Sequence, residues 1–198
     1  YNDKLTLMIS AFCHDIGKIN TTEIQEDGKI TSYNHGKEGV TITKSFLKKF
    51  EFPISLKTEA NQEKFKFKQK VLNLIQGHEF VFRSLKDINL KSIKQLSVDL
   101  KPANIKELIR LIKADQLGRG EDANLDIEKI KKMEKLALSE NIYESDYTCF
   151  LGGRDLIEMG LKRGEKIGQI LAELLKMQIN GKINDREAAI VYIQKKYV

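Results

Sequence analysis

Apolar residues near the start of the chain recur at helical intervals. Leu5, Met8, Ile9, Phe12 and Ile16 fall at three- and four-residue steps, which predicts an amphipathic helix over 3–16 with one buried stripe, ended by Gly17. The same period predicts helices over 35–50, 58–78, 90–97, 103–117, 124–138, 164–178 and 185–196. Strand-like alternation bounded by hairpin turns is not evident, and only 2 prolines interrupt the chain, so the fold class reads as all-α. Ser139 to Gly153 breaks the period and carries Gly152-Gly153, which sets a helical bundle over 1–138 apart from a helical tail over 139–198. The tail is expected to be an appendage without an independent core.

Composition changes this picture modestly. Cys13 and Cys149 lie far apart and form no Cys-x-x-Cys pair, so neither a disulfide framework nor a zinc knuckle is indicated, and a reducing cytoplasm is the expected location. The longest apolar run, Leu5 to Cys13, is too short to span a bilayer and contains Thr6 and Ser10. No membrane association is expected. A net charge of +6 leans toward a polyanionic partner. Lys64 to Lys70 interleaves lysines with Phe65 and Phe67 as a nucleic-acid groove does. Yet Phe65, Leu72 and Ile75, with Phe67, Val71 and Leu74, fall at helical spacings, so this stretch reads as a core helix with a solvated lysine face.

The chemistry concentrates at Ala11-Phe12-Cys13-His14-Asp15-Ile16-Gly17-Lys18. An adjacent His-Asp pair in the last turn of an apolar helix places two ligand types about 100° apart, where both can bend toward one ion. The chain's 3 histidines are His14, His35 and His78, and the last candidate is Asp115, which shares a helix face with Leu108 and Ile112. A carboxylate on an apolar face needs a partner, whether a metal, an arginine or backbone donors. Beside the doublet, the metal is favoured. Mixed imidazole and carboxylate ligands suit a divalent transition ion (Mn, Ni, Co, Fe or Zn) better than Mg.

The order His-Asp, His, His, Asp resembles the HD superfamily of metal-dependent phosphohydrolases. That resemblance implies an all-α HD-domain helical bundle with a C-terminal helical tail. In its two-metal members the doublet Asp bridges two ions. Carried over, Asp15 is the bridge and the catalytic carboxylate, His14 and Asp115 hold one metal, and His35 with His78 hold the other. Family members place a further His on the helix before the doublet. The helix upstream of His14 holds none, so the resemblance implies that the protein continues upstream of Tyr1.

A closer resemblance covers most of the chain. His14-Asp15-Ile16-Gly17-Lys18, the Asp27-Gly28 turn, Tyr33-Asn34-His35-Gly36-Lys37-Glu38-Gly39, Phe52-Pro53 and Lys113-Ala114-Asp115 are similar to the HD region of bacterial tRNA nucleotidyltransferases (CCA-adding enzymes) and their poly(A) polymerase relatives. Gly153-Arg154-Asp155-Leu156-Ile157-Glu158-Met159-Gly160 and Gln178-Ile179-Asn180-Gly181-Lys182 resemble their C-terminal segment, with Arg163 where they commonly have proline. A Gly-Ser turn followed by Asp-x-Asp, which their polymerase head requires, is absent from this sequence. The resemblance implies a phosphodiesterase or phosphatase acting on a nucleotide or an RNA 3′ end, with tRNA as partner. A catalytically silent RNA-positioning module is the alternative, and a free-standing nucleotidase a third.

Lys18, Arg119, Lys162, Arg163 and Lys166 are the candidate contacts to substrate or RNA phosphate. Each also has a plain structural reading. Lys18 suits a helix C-terminus, Arg119 a solvated turn, and the tail residues a helix-hairpin turn.

Overall fold

A computed structural model describes residues 3–49, 58–118 and 126–198. They form an all-α protein that divides into two compact units, Tyr1–Asp146 and Tyr147–Val198. The first unit contains α1 (Asp3–Cys13), α2 (Lys18–Thr21), a two-stranded hairpin of β1 (Glu23–Ile24) and β2 (Ile30–Thr31), and α3 (His35–Lys49). It continues with α4 (Thr58–Gly77), 3-10 turns at His78–Phe82 and Leu85–Asp87, α5 (Leu90–Leu100), α6 (Ile105–Leu117) and α7 (Ile127–Ser139).

Helix α4 is the axis of this unit and packs against α1, α3, α5 and α6. Its Phe67, Val71, Leu72 and Ile75 bury against Cys13 of α1 and Leu47 of α3. Helix α6 is held in register at its start by a capping box. Asn104 Oδ1 accepts from the Glu107 N–H at 2.9 Å while Glu107 Oε2 accepts from the Asn104 N–H at 3.0 Å. Leu108, Ile109, Leu111 and Ile112 then lie in the core, and the same helix carries Asp115.

Four local expectations need correction. Helix α1 stops at Cys13, so the His-Asp doublet follows the helix instead of ending it. Three-residue bonds take over there, with the Ile16 N–H on the Cys13 carbonyl and the Lys18 N–H on the Asp15 carbonyl. The buried face of α1 is Thr6, Ser10 and Cys13, while Met8 and Phe12 of the predicted stripe are 58% and 73% exposed. Small side chains at 6, 10 and 13 allow close approach to α4 and α6, which the larger residues would block. Residues 23–31 form a short antiparallel ladder around Gly28, whose φ of +80° favours glycine. Two-residue strands are too short to show alternation in sequence. Finally, Phe65 stands 71% exposed while its predicted partners Phe67, Val71, Leu72, Leu74 and Ile75 are buried. Phe52-Pro53 and the predicted helix start at 124 lie outside the described residues.

The second unit consists of α8 (Gly153–Glu158), α9 (Glu165–Ile179) and α10 (Arg186–Tyr197). Leu151, Leu156, Ile170, Leu174, Ile183, Ala189 and Ile193 bury one another, so the tail has a hydrophobic core of its own, contrary to expectation. Its pieces are pinned by polar contacts. The buried Gln178 accepts from the Phe150 N–H at 2.9 Å and donates to the Thr148 carbonyl, and Asp185 caps α10 by accepting from the Ala188 N–H. No described helix is long and apolar enough to cross a membrane.

Candidate metal centre

Four chain segments bring the five predicted ligands together. His14 and Asp15 sit in the turn after α1, His35 opens α3, His78 opens the 3-10 turn after α4, and Asp115 lies in the last turns of α6. His14 Nε2 is 3.1 Å from Asp115 Oδ1 and 3.4 Å from Asp15 Oδ2. On the other side of the same carboxylate, Asp15 Oδ1 is 3.2 Å from His35 Nε2 and 4.0 Å from His78 Nε2. The two imidazoles meet at 3.0 Å between their Nε2 atoms. His14, Asp15 and His78 each offer a ligand atom within 4.8 Å of the other two.

All three histidines are oriented in the same way. His14 Nδ1 donates to the Ala11 carbonyl at 2.8 Å, His35 Nδ1 to the Ser32 carbonyl at 2.7 Å, and His78 Nδ1 to the Ile75 carbonyl at 2.5 Å. A carbonyl only accepts, so each Nδ1 carries a proton and each Nε2 is the ring atom turned inward, the one available to a cation. The three Nε2 atoms face one another and the carboxylate oxygens of Asp15 and Asp115. Ring nitrogens and carboxylate oxygens packed this closely need a positive charge among them, either a shared proton or a bound cation. The donor set therefore fits a metal, on chemistry and orientation alike.

Burial sharpens this. His78 is 2% exposed, and desolvation, helped by the charges of His14 and His35, depresses its pKa from 6.5 to about 4 against the opposing pull of the Ile75 hydrogen bond and Asp15. The ring is neutral and ready to ligate at physiological pH. Burial works to raise the Asp15 carboxyl, but its hydrogen bond to Lys18 and the charges of His14, Lys18 and His35 outweigh it and hold the pKa below the usual carboxylate value.

The His78 shift has a measurable sign. Between pH 6.5 and about 4 the unfolded chain binds a proton at this position and the folded chain does not, so stability falls as pH is lowered through that window. With metal withheld by a chelator, denaturant titrations are expected to show a loss of up to about 3 kcal/mol from this group, complete only near pH 4, with no contribution above 6.5. His78→Gln should flatten that slope. An unchanged slope would show that His78 is not the buried neutral group responsible.

Lys18 lies at the centre, its ammonium donating to Asp15 Oδ2 at 2.6 Å. Glu79 went unnoticed in the sequence. Its Oε1 lies 2.9 Å from His35 Nδ1, on the side of that ring facing away from Asp15. Its only sequence signal was its position next to His78. Arg119 lies outside the described residues. Lys162 and Arg163 precede α9 and Lys166 lies in its first turn, all three exposed on the second unit.

Gly17 explains how His35 comes so near the doublet. A Cβ built on it would lie 2.0 Å from the His35 carbonyl oxygen and 2.6 Å from the Gly39 nitrogen, so only glycine lets this turn rest against the first turn of α3. Its φ of −68° is ordinary, and close approach, not a left-handed cap, is the reason for glycine here.

A helical bundle that gathers a His-Asp doublet, two further histidines and a late aspartate is the architecture of a metal-binding helical domain. Residues 1–137 match the HD domain family, and the chain belongs to it. Domains of this family are in general metal-dependent hydrolases. No curated protein and no solved structure matches the chain.

Proposed function

We propose that residues 1–146 form a divalent-metal phosphohydrolase acting on phosphate esters of nucleotides or RNA ends. The observation that supports it most is the convergence of three Nδ1-anchored imidazoles on the two faces of one carboxylate. Asp15 would serve two ions, His14 and Asp115 would complete one site, and His35 and His78 the other. The imidazole-rich set favours Mn, Ni, Co, Fe or Zn over Mg. A divalent ion bound there supplies Lewis acidity toward phosphoryl oxygens and an acidified water as nucleophile. Lys18 is placed to exchange its bond to Asp15 for one to a substrate phosphate oxygen, and Arg119 is a second candidate for that task.

The finer reading is that this is the HD portion of a tRNA nucleotidyltransferase-like protein working in the cytoplasm, with tRNA as partner and Lys162, Arg163 and Lys166 as phosphate contacts. It rests on the sequence resemblance of the HD segment and the tail. The test is release of phosphate, or ring opening of a 2′,3′-cyclic nucleotide, with Mn, Ni, Co, Fe or Zn supplied in turn. Turnover with at least one ion, lost on chelation, is expected. Folded protein that binds tRNA but turns over nothing would leave the RNA-positioning reading instead.

A further inference from the structure

Helix α3 begins at the metal centre and carries a line of lysines away from it. Lys37, Thr41, Lys44 and Lys48 follow one another at steps of about four, three and four residues, which keeps them on one face, and all four are exposed. Lys48 lies roughly 20 Å along the helix from His35, at about 1.5 Å per residue. The single acid of α3, Glu38, lies off this face and accepts from Asn20.

Helix α4 packs beside α3 and adds to the line. Lys68 is desolvated and sits in the field of Lys64 and Lys48, which together lower its pKa; three ammonium groups from two helices therefore share one neighbourhood. Among the described residues none of Lys37, Lys44, Lys48, Lys64 and Lys68 forms an ion pair with an acid. Phe65, three residues from Lys68 and so on its neighbouring surface, is 71% exposed beside them. Clustered cations beside an uncovered aromatic ring complement a partner that is anionic and has flat apolar faces.

We propose that the outer face of α3 and the adjoining edge of α4 are a binding track for a single-stranded nucleic acid, its phosphates on Lys37, Lys44, Lys48, Lys64 and Lys68 and a base on Phe65. An anionic membrane or a polysulfate would use the charge but not the ring, and a duplex keeps its bases stacked away from it. The track itself rests on the lysines and Phe65. Only its polarity, with the reacting end of the strand beside Lys37, rests on the phosphohydrolase reading.

The experiment is fluorescence anisotropy of a labelled single-stranded oligonucleotide about twelve residues long, over a range of salt, with the full 198-residue chain. Lys44→Glu, Lys48→Glu and Lys68→Glu together are expected to weaken binding at least about tenfold and to reduce the slope of log affinity against log salt by about two, near 0.7 per lost contact. The triple Lys→Gln variant controls for folding and should act in the same direction. Phe65→Ala should weaken binding about fivefold or more at every salt concentration without changing the slope. Repeating both in a chain with Lys162→Glu, Arg163→Glu and Lys166→Glu removes any contribution of the tail. Turnover of a small phosphate ester should be unaffected by the substitutions at Lys44, Lys48 and Lys68. Unchanged oligonucleotide affinity in the triple variants would overturn the track, as would equally tight binding of a duplex or of anionic vesicles with no dependence on Phe65. A chain inactive on small esters that still shows the expected binding losses would overturn the hydrolase reading alone.

Discussion

Replacing Asp15 with alanine is expected to remove more bound metal than any other single substitution in the cluster. The reason is geometric. Oδ2 lies 3.4 Å from His14 Nε2 and Oδ1 lies 3.2 Å from His35 Nε2, so one side chain serves both halves of the site. Loss of His14 or Asp115 would weaken one half, and loss of His35 or His78 the other. Loss of Asp15 weakens both and also leaves His14, His35 and Lys18 without their shared anion. An outer contact to a metal ligand is commonly worth about 10- to 100-fold in affinity, and a shared ligand should exceed that range. Metal content after equilibrium dialysis against Mn or Zn, measured beside Asp15→Asn and with circular dichroism as the control for folding, decides it. Metal retention in Asp15→Ala equal to that in His14→Ala would refute the bridging role.

Gly17→Ala is expected to be the most damaging substitution that touches no ligand. The added methyl would lie 2.0 Å from the His35 carbonyl oxygen and 2.6 Å from the Gly39 nitrogen. Both are backbone atoms of one helix turn, so no rotamer change can make room, and α3 must shift as a whole. Overpacking of this kind costs about 1–3 kcal/mol and occasionally more. Because the obstructed atoms belong to the turn that carries His35, the shift should also open the His35–Asp15 distance. The expected result is a fall in melting temperature together with weaker metal binding, whereas Gly28→Ala, with nothing within 4 Å of its Cβ position, should leave metal binding intact despite the strain of its φ of +80°. A Gly17→Ala protein with unchanged stability and metal affinity would show that the turn does not set the position of His35.

The histidines and aspartates of the centre were legible from residue chemistry and order alone. The chain has only 3 histidines, and Asp115 stood out as a carboxylate beside Leu108 and Ile112, which are 0% and 2% exposed. Helices such as α3, α4 and α6 were equally legible, because an apolar period over three or more turns has few other meanings. The end of α1 was not. Whether a helix continues past Cys13 depends on where His14 finds its partners, and its Nδ1 takes the Ala11 carbonyl, the acceptor that a continuing helix would use for the Asp15 N–H. Phe65 is exposed despite its helical spacing, because spacing identifies which residues share a face but not how wide that face is once neighbours have packed.

What the sequence alone determined is the class of fold and which side chains are candidate ligands, since both follow from local periodicity and side-chain chemistry. Only the tertiary structure decided how those side chains are arranged, with one oxygen of Asp15 turned to His14 and the other to His35 and His78. It also revealed Glu79 behind His35, the close contact at Gly17, and the lysines that α3 and α4 bring together. The reason is sequence separation. His14 and Asp115 are 101 residues apart and His35 and His78 are 43 apart, so their geometry is set by how four helices pack around α4 and not by the pattern along any one of them.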